Sequence, residues 1–142
     1  MNNEFINVYA RDNGALLTSF PGGAQAPAGY EIAHYEENGH DIYQEWLDNL
    51  RDMRGRTAII RAVKRAENGN FGVHHFCRDG VWELVIDFGP GYRVYYSIVG
   101  SAIVLLLCAG QKRGQNRDIE KAIEYLKRYK EVCGHDNIHH QQ

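Results

Sequence analysis

The feature that most limits the fold of this chain is an unbroken apolar run over residues 102–109, AIVLLLCA. A helix that crosses a bilayer needs about 20 apolar residues, so this run is too short to be one. A short uninterrupted run is typical of a β-strand that is covered on both faces, because a strand with one solvated face alternates between apolar and polar residues. The run therefore predicts a strand inside a sheet that is covered on both faces.

Three more strand-like runs precede it, over residues 73–77, 81–88 and 92–98. Along the second run, apolar residues alternate with a mixed set that includes Glu83 and Asp87. We therefore expect one face of this strand to pack on helices and the other to stay available. The sequence FGPGY then joins the second run to the third, and its Gly-Pro-Gly centre predicts a turn.

Two helical patterns lie ahead of these strands. Asn38 is the predicted N-cap of a helix that runs through about Met53, and a second helix follows over about 56–67. Gly55 supplies the break between them, so the two helices are predicted to form an αα-hairpin. The alternating segment YEIAHY at 30–35 predicts a strand ahead of this hairpin.

A last helix is predicted to begin near Asn116 and to end at Gly134. The element order is then β-α-α-β-β-β-β-α, which indicates an α+β fold. It comprises an antiparallel sheet of about four or five strands, an N-terminal αα-hairpin and a C-terminal helix. A chain of 142 residues favours a single domain, which we place at residues 30–133.

The two ends of the chain differ from this domain. Residues 1–29 carry three charged side chains and end in the linker-like stretch PGGAQAPAG, so they are predicted to form an N-terminal extension. Residues 134–142 are predicted to form a solvated C-terminal tail. The histidines of this tail and Cys133 have a loosely zinc-like spacing, but no second ligand cluster supports a metal site.

The cysteines indicate the compartment. Cys77, Cys108 and Cys133 are odd in number and widely spaced, which argues against a disulfide framework or a zinc ribbon. This usage favours a reducing cytoplasm. The N-terminus lacks a basic segment followed by an apolar core, so we expect a cytoplasmic protein with no membrane partner.

The formal net charge of −2 argues against a protein that is basic over its whole surface, but the charge is unevenly distributed. Residues 30–50 hold six acids and no Lys or Arg, residues 51–65 hold six bases and one acid, and residues 112–130 hold seven bases and three acids. Two interpretations are open: solvated helix faces with ordinary salt bridges, or a surface that grips an RNA backbone. In the second interpretation, the RNA backbone is contacted by Arg61, Lys64 and Arg65.

The run at 82–122, WELVIDFGPGYRVYYSIVGSAIVLLLCAGQKRGQNRDIEKA, resembles the RelE/ParE toxin superfamily. More narrowly, it is similar to the HigB-like, phage-derived branch of addiction module killer proteins. The motifs GPGYRVYY and K-x-x-Q-x-R-D-I carry this resemblance together. Residues 45–70 also fit the helix pair of that branch, so the resemblance covers about residues 30–130, and residues 1–29 have no counterpart.

The resemblance implies the toxin of a type II toxin–antitoxin pair with a RelE-like fold. RelE-like and HigB-like members cleave mRNA in the ribosomal A site without a metal or cofactor, whereas ParE-like members poison DNA gyrase. It also implies a partner, an antitoxin with a helix-turn-helix domain that covers the basic groove in a hetero-oligomer. A third interpretation is a degenerate member that binds antitoxin and has no activity.

Cleavage of RNA through its ribose 2′-hydroxyl needs a base, cations that stabilise the phosphorane, and an acid for the leaving oxygen. The resemblance implies that Arg93, in GPGYR, contacts phosphate and that Arg113 is the basic catalytic residue after the last strand. His75 lies where relatives often carry Lys and is a candidate general base or acid. Glu83 is a candidate carboxylate base.

Structural alternatives stay open for these residues. Arg93 can pair with Asp87 or Glu83, and His75 can be a surface histidine without a role. Glu83 and Val85 occupy strand positions where active RNA cleavers carry basic groups, and the tyrosine that RelE stacks on a base falls near Ile119. The remaining predicted RNA contacts are Lys112, Arg117 and Tyr95, of which the tyrosine is alternatively a core residue.

Overall fold

A computed structural model gives the structure of the protein over residues 29–141, with side chains described from Gly29 to Cys133. Residues 1–28 of the predicted extension, and the side chains of the predicted C-terminal tail, lie outside the described residues. The elements in chain order are β1 (Glu31–His34), β2 (Glu36–Glu37), β3 (His40–Asp41), α1 (Ile42–Asn49), α2 (Met53–Glu67), β4 (His74–Arg78), β5 (Val81–Ile86), β6 (Tyr92–Val99), β7 (Ile103–Gln111) and α3 (Gln115–Gln141). A single 3₁₀ turn, Lys112–Gly114, links β7 to α3.

The sheet has five strands in the order β1-β7-β6-β5-β4. The pairs among β4, β5, β6 and β7 are antiparallel, whereas β1 runs parallel to β7. The fold is therefore α+β as predicted, but the sheet is mixed, and the prediction of an entirely antiparallel sheet was wrong. The short strands β2 and β3 form a separate hairpin.

Helices cover both faces of the sheet. Helices α1 and α2 pack on one face, where Ile59 and Val94 belong to the same buried cluster. Helix α3 packs on the other face, where Leu126 joins a second cluster with Tyr95. Residues 104–107 of β7 alternate between the two clusters, and at an irregularity in the β6–β7 pairing Leu107 and Cys108 both join the second cluster. The prediction of a strand covered on both faces is confirmed.

The second face of β5 is covered rather than available. Val81 and Glu83 are 0% and 4% exposed beneath α3. The alternation correctly divides the residues of this strand between two faces. It does not indicate that the C-terminal helix returns over the mixed face, so the prediction of an available face was wrong for Val81 and Glu83, whereas Val85 is partly exposed and Asp87 is exposed.

The helix starts differ from the predicted ones because aspartates cap both. Asp41 accepts a hydrogen bond from the N–H of Gln44 and begins α1, whereas Asn38 lies at φ +53° between β2 and β3. Asp52 accepts from the N–H of Gly55 and begins α2, so this glycine lies in the first turn of α2 and does not separate the two helices.

A further correction concerns α3, which continues past Gly134 to Gln141. An interior glycine costs a helix about 1 kcal/mol relative to alanine, and that cost alone does not end one. Within the part of the chain that the structure describes, no helix has the length and apolar character needed to cross a membrane.

The packing of α2 gives a matched pair of substitutions. Ile59 is fully buried against the sheet, and its neighbour Ile60 is 49% exposed. We expect Ile59→Ala to lower the free energy of unfolding by about 2–5 kcal/mol, because it leaves a cavity. Ile60→Ala should change it by less than about 0.5 kcal/mol. Urea unfolding of both variants measures the difference, and equal losses would contradict this orientation of α2.

Candidate functional site

Four polar side chains converge where strands β4, β5 and β6 meet the start of α3. His75 lies opposite Glu83 in the β4–β5 pairing, and Arg93 lies opposite Val85 in the β5–β6 pairing. Alternation along the strands directs all three side chains to the α3 face. Gln115 is the first residue of α3 and completes the group, which we call the Glu83 cluster (His75, Glu83, Arg93 and Gln115).

The carboxylate of Glu83 is the centre of this cluster. Its Oε2 lies 3.1 Å from Nδ1 of His75, and its Oε1 accepts a hydrogen bond from Nε2 of Gln115 at 2.8 Å. The Nε of Arg93 lies 3.6 Å from the same Oε1. A buried carboxylate is costly unless a cation and hydrogen-bond donors compensate it. The three partners supply that compensation.

Exposure increases outward through the cluster. The side chains of Glu83 and Arg93 are 5% and 11% exposed, whereas that of His75 is 62% exposed. An ionised Glu83 fixes the tautomer of a neutral His75 with the proton on Nδ1, which leaves Nε2 as the proton acceptor. The buried acid therefore orients an exposed base.

Arg93 is held within the sheet rather than extended into solvent. Its guanidinium pairs with Glu83, and one terminal nitrogen donates to the carbonyl of Tyr92 at 3.3 Å. Its Nε is buried and has no hydrogen-bond partner among the described residues. The structural alternative raised from the sequence, a pair between Arg93 and Glu83, is therefore present in the structure.

A groove opens beside this cluster, between α1 and the start of α3. It encloses about 960 Å³, with Cys108 to Gly110 along its floor and Ile42 and Trp46 of α1 on one side. The opposite side is basic and carries the following four side chains: Lys112, Arg113, Arg117 and Lys121. Gln115 lines this α1–α3 groove and also donates to Glu83, so it links the groove to the cluster.

Asp118 fills a notch above the last residues of β7. A Cβ on Gly110 would lie 2.0 Å from Oδ2 of Asp118, so only glycine leaves room for this carboxylate. Desolvation raises the pKa of Asp118, against the opposing effect of Arg117 and Lys121. An acid in the first turn of α3 also interacts favourably with the helix dipole. Asp118 therefore stabilises the start of α3 and also lines the groove.

The structure divides the predicted site residues into separate groups. His75, Glu83 and Arg93 come together, and Arg113, Lys112 and Arg117 lie in the adjacent groove. The three basic residues predicted on the second helix are elsewhere. They are carried by α2, which packs on the face of the sheet opposite α3. Arg61, Lys64 and Arg65 therefore do not line the α1–α3 groove.

Tyr95 requires a correction. Its side chain is 0% exposed in the cluster beneath α3, so it cannot stack on a base, and the prediction that it contacts RNA was wrong. Its hydroxyl is buried without a hydrogen-bond partner among the described residues. The alternative of a core tyrosine is the one that the structure shows.

Two residues of the site were not identified from the sequence. Gln115 was part of the K-x-x-Q-x-R-D-I motif without an assigned role, and its contact with Glu83 spans 32 positions of the chain. Trp46 fits the apolar spacing of its helix, and no functional role was predicted for it, although it lines the groove. No local sequence signal separates these roles from ordinary packing.

Among the residues that the structure describes, no group of three or more His, Cys, Asp or Glu side chains is arranged to hold a metal ion. The histidines of the tail, raised above as a loosely zinc-like group, lie outside the described side chains.

The chain is similar to a protein of Haemophilus influenzae that is described as uncharacterized. The two are 41% identical over 80 residues, which is 56% of this chain and 81% of the relative. No protein-family model matches the chain.

The notch at Gly110 gives a double-mutant test. We expect Gly110→Ala to lower the free energy of unfolding by about 1–3 kcal/mol, because the new methyl group overlaps the carboxylate of Asp118. In an Asp118→Ala background the same substitution should cost much less, with a coupling energy of about 0.5–3 kcal/mol. Urea unfolding of the four proteins measures it, and strict additivity would contradict the contact.

Removal of the hydroxyl should change the stability of the protein differently at two buried tyrosines of β6. Tyr92 donates to Oδ2 of Asp52 at 2.6 Å, so Tyr92→Phe should lower the free energy of unfolding by about 1–3 kcal/mol. The hydroxyl of Tyr95 has no such partner, so Tyr95→Phe should leave stability unchanged or raise it by about 1 kcal/mol. Thermal unfolding distinguishes the two, and equal losses would show that the Tyr95 hydroxyl is bonded.

Proposed function

The chain belongs to the same family as the uncharacterized Haemophilus influenzae protein, and we propose that its function is that of the toxin in a type II toxin–antitoxin pair. In this proposal it is a HigB-like member of the RelE/ParE superfamily with a RelE-like fold. Its activity is cleavage of mRNA on the ribosome, which blocks translation in the cytoplasm.

The observation that carries the proposal is the Glu83 cluster. Cleavage through the ribose 2′-hydroxyl needs a group that removes its proton, cations near the phosphorane, and an acid for the leaving 5′-oxygen. An exposed imidazole bonded to a buried carboxylate, beside a groove with four cations, supplies the base and the cations, and the leaving 5′-oxygen takes its proton from water.

The residues then take the following roles. His75 accepts the proton of the 2′-hydroxyl, and Glu83 holds the imidazole in the accepting tautomer. Arg93 compensates the charge of Glu83 from within the sheet. Arg113, with Lys112 and Arg117, meets the phosphates from the groove. Because the nucleophile comes from the RNA itself, this reaction requires neither a metal nor a cofactor.

The proposal also includes a partner. A toxin of this kind is held inactive by an antitoxin, which we propose carries a helix-turn-helix domain and forms a hetero-oligomer with this chain. The basic side of the α1–α3 groove is the surface that an acidic antitoxin segment would cover.

A second candidate is a catalytically degenerate member of the same superfamily that binds antitoxin and has no activity. The enclosure of Glu83 by Arg93 and Gln115 favours it, because a fully partnered buried carboxylate also serves as a structural anchor. The expression experiment below also distinguishes gyrase poisoning, the ParE-like activity, from RNA cleavage.

Induced expression tests the proposal. We expect the wild-type protein to arrest growth and to produce new mRNA 5′ ends within coding regions. His75→Ala should restore growth and lower cleavage by about 100-fold or more, which is the usual contribution of a general base. Because His75 is largely exposed, its loss should not unfold the protein. Glu83→Gln and Arg93→Gln should also relieve the arrest.

Lys130→Ala, an exposed lysine of α3 that lies near Gly80 and lines neither the groove nor the cavity beside it, is the matched control and should keep full toxicity. If growth stops while mRNA 5′ ends are unchanged and gyrase-linked double-strand breaks accumulate, the activity is gyrase poisoning and not RNA cleavage. Normal growth with soluble wild-type protein would favour the degenerate member.

A further inference from the structure

A second cavity adjoins the α1–α3 groove. It encloses about 530 Å³ and is lined by the loop after α1, Asn49 to Asp52, together with Pro90 and Tyr92. Trp46 and Gln111 line both spaces, so the two adjoin at these side chains. We call the two adjoining spaces together the channel; its lining extends from the loop after α1 to the first turns of α3.

Trp46 is held at the junction of the two spaces. Its ring meets that of Tyr92 edge to face, with the centroids 6.0 Å apart and the planes at 71°. The hydroxyl of Tyr92 is in turn fixed by Asp52 at 2.6 Å. The indole is only partly buried, whereas Tyr43 and Leu47 of the same helix are 3% exposed. It therefore offers the channel a rigid aromatic surface.

The charge along the channel is mainly positive. Five cationic side chains line it: Arg51, Lys112, Arg113, Arg117 and Lys121. Two acids, Asp52 and Asp118, oppose them. Asp52 is engaged by Tyr92 and by the N–H of Gly55, and Asp118 is tucked over Gly110. A ligand of this channel should therefore be a polyanion that also carries flat rings.

We infer that this channel binds single-stranded RNA, with one base stacked on Trp46 and the flanking phosphates on the cations of the channel. Stacking on an aromatic side chain combined with phosphate contacts is the usual mode of single-strand recognition, and it tolerates different bases. The inference rests on the proposed function and adds to it a positioning residue, Trp46, on a helix that the proposed chemistry does not use.

The chain has two tryptophans, Trp46 and Trp82, which makes the contact directly measurable. In the Trp82→Phe variant, Trp46 is the sole indole emitter. We expect saturable quenching of its fluorescence by a 2′-O-methyl oligoribonucleotide of about seven residues, a probe that lacks the nucleophilic hydroxyl and is not cleaved. Affinity should fall steeply as salt rises, because phosphate contacts release counterions.

The matched control is Trp46→Phe, in which Trp82 is the emitter. Trp82 packs against His74 and Phe76 of β4 and lines neither cavity of the channel. Its emission should therefore not change when RNA binds. This variant keeps an aromatic ring and should retain most of the affinity, measured by anisotropy of labelled RNA. Trp46→Ala should lose about 10-fold or more, with urea unfolding to confirm that it is folded.

The outcomes separate this inference from the proposed function. Unchanged Trp46 fluorescence at RNA concentrations that saturate binding would overturn the inference, even if expression still cleaved mRNA. Quenching of Trp46 fluorescence without mRNA cleavage in cells would support RNA binding in the channel and contradict the proposed nuclease activity. Equal quenching by a duplex of the same sequence would overturn the single-strand specificity, because a paired base cannot stack on Trp46.

Discussion

The burial of β7 is the constraint on which the rest of the fold depends. The strand is paired on both edges, by β1 and β6, and its residues from Ile103 to Gly110 are buried, with side chains in the clusters on both faces. Such a strand requires covering layers on both sides, which α1 and α2 supply on one face and α3 on the other. Gln111 is the first residue after this buried stretch that is partly exposed to solvent. The 3₁₀ turn and the start of α3 therefore lie at the end of the sheet, where the groove opens.

The Glu83 cluster couples that architecture to chemistry. Burying a carboxylate costs several kcal/mol unless nearby groups compensate it. Here the compensating groups come from β4, β6 and the first residue of α3. The contact between Gln115 and Glu83 thus ties the start of α3 to strand β5. The same contacts set the tautomer and position of His75, so anchoring the helix and orienting a base are consequences of one buried charge.

Local patterns predicted the strands well, because alternation and the FGPGY turn are written in consecutive residues. The parallel pairing of β1 with β7 was missed, since the two strands are about 70 positions apart and neither encodes its partner. Asn38 was chosen as a cap because it is a good one, but Asp41 follows three residues later and accepts the hydrogen bond. Within the site, Tyr95 was predicted to contact RNA but is buried by α3, whereas Trp46, for which no role was predicted, lines the groove. Burial of each depends on a distant helix, which periodicity does not report.

Charge shows the same dependence on the fold. Apart from Arg51, which lines the channel, the bases of the first basic segment are carried by α2 on the face of the sheet opposite α3, so the two segments do not form one phosphate-gripping surface. Only the cations of the groove and Arg51 act on a strand bound there. At physiological salt, exposed charges are screened beyond about 8 Å, so the cations of α2 add little across the thickness of the domain. A chain with a net charge of −2 and one short basic channel should bind free RNA weakly. For the proposed toxin, the ribosome then has to supply the local concentration and the orientation of the strand that electrostatic attraction does not.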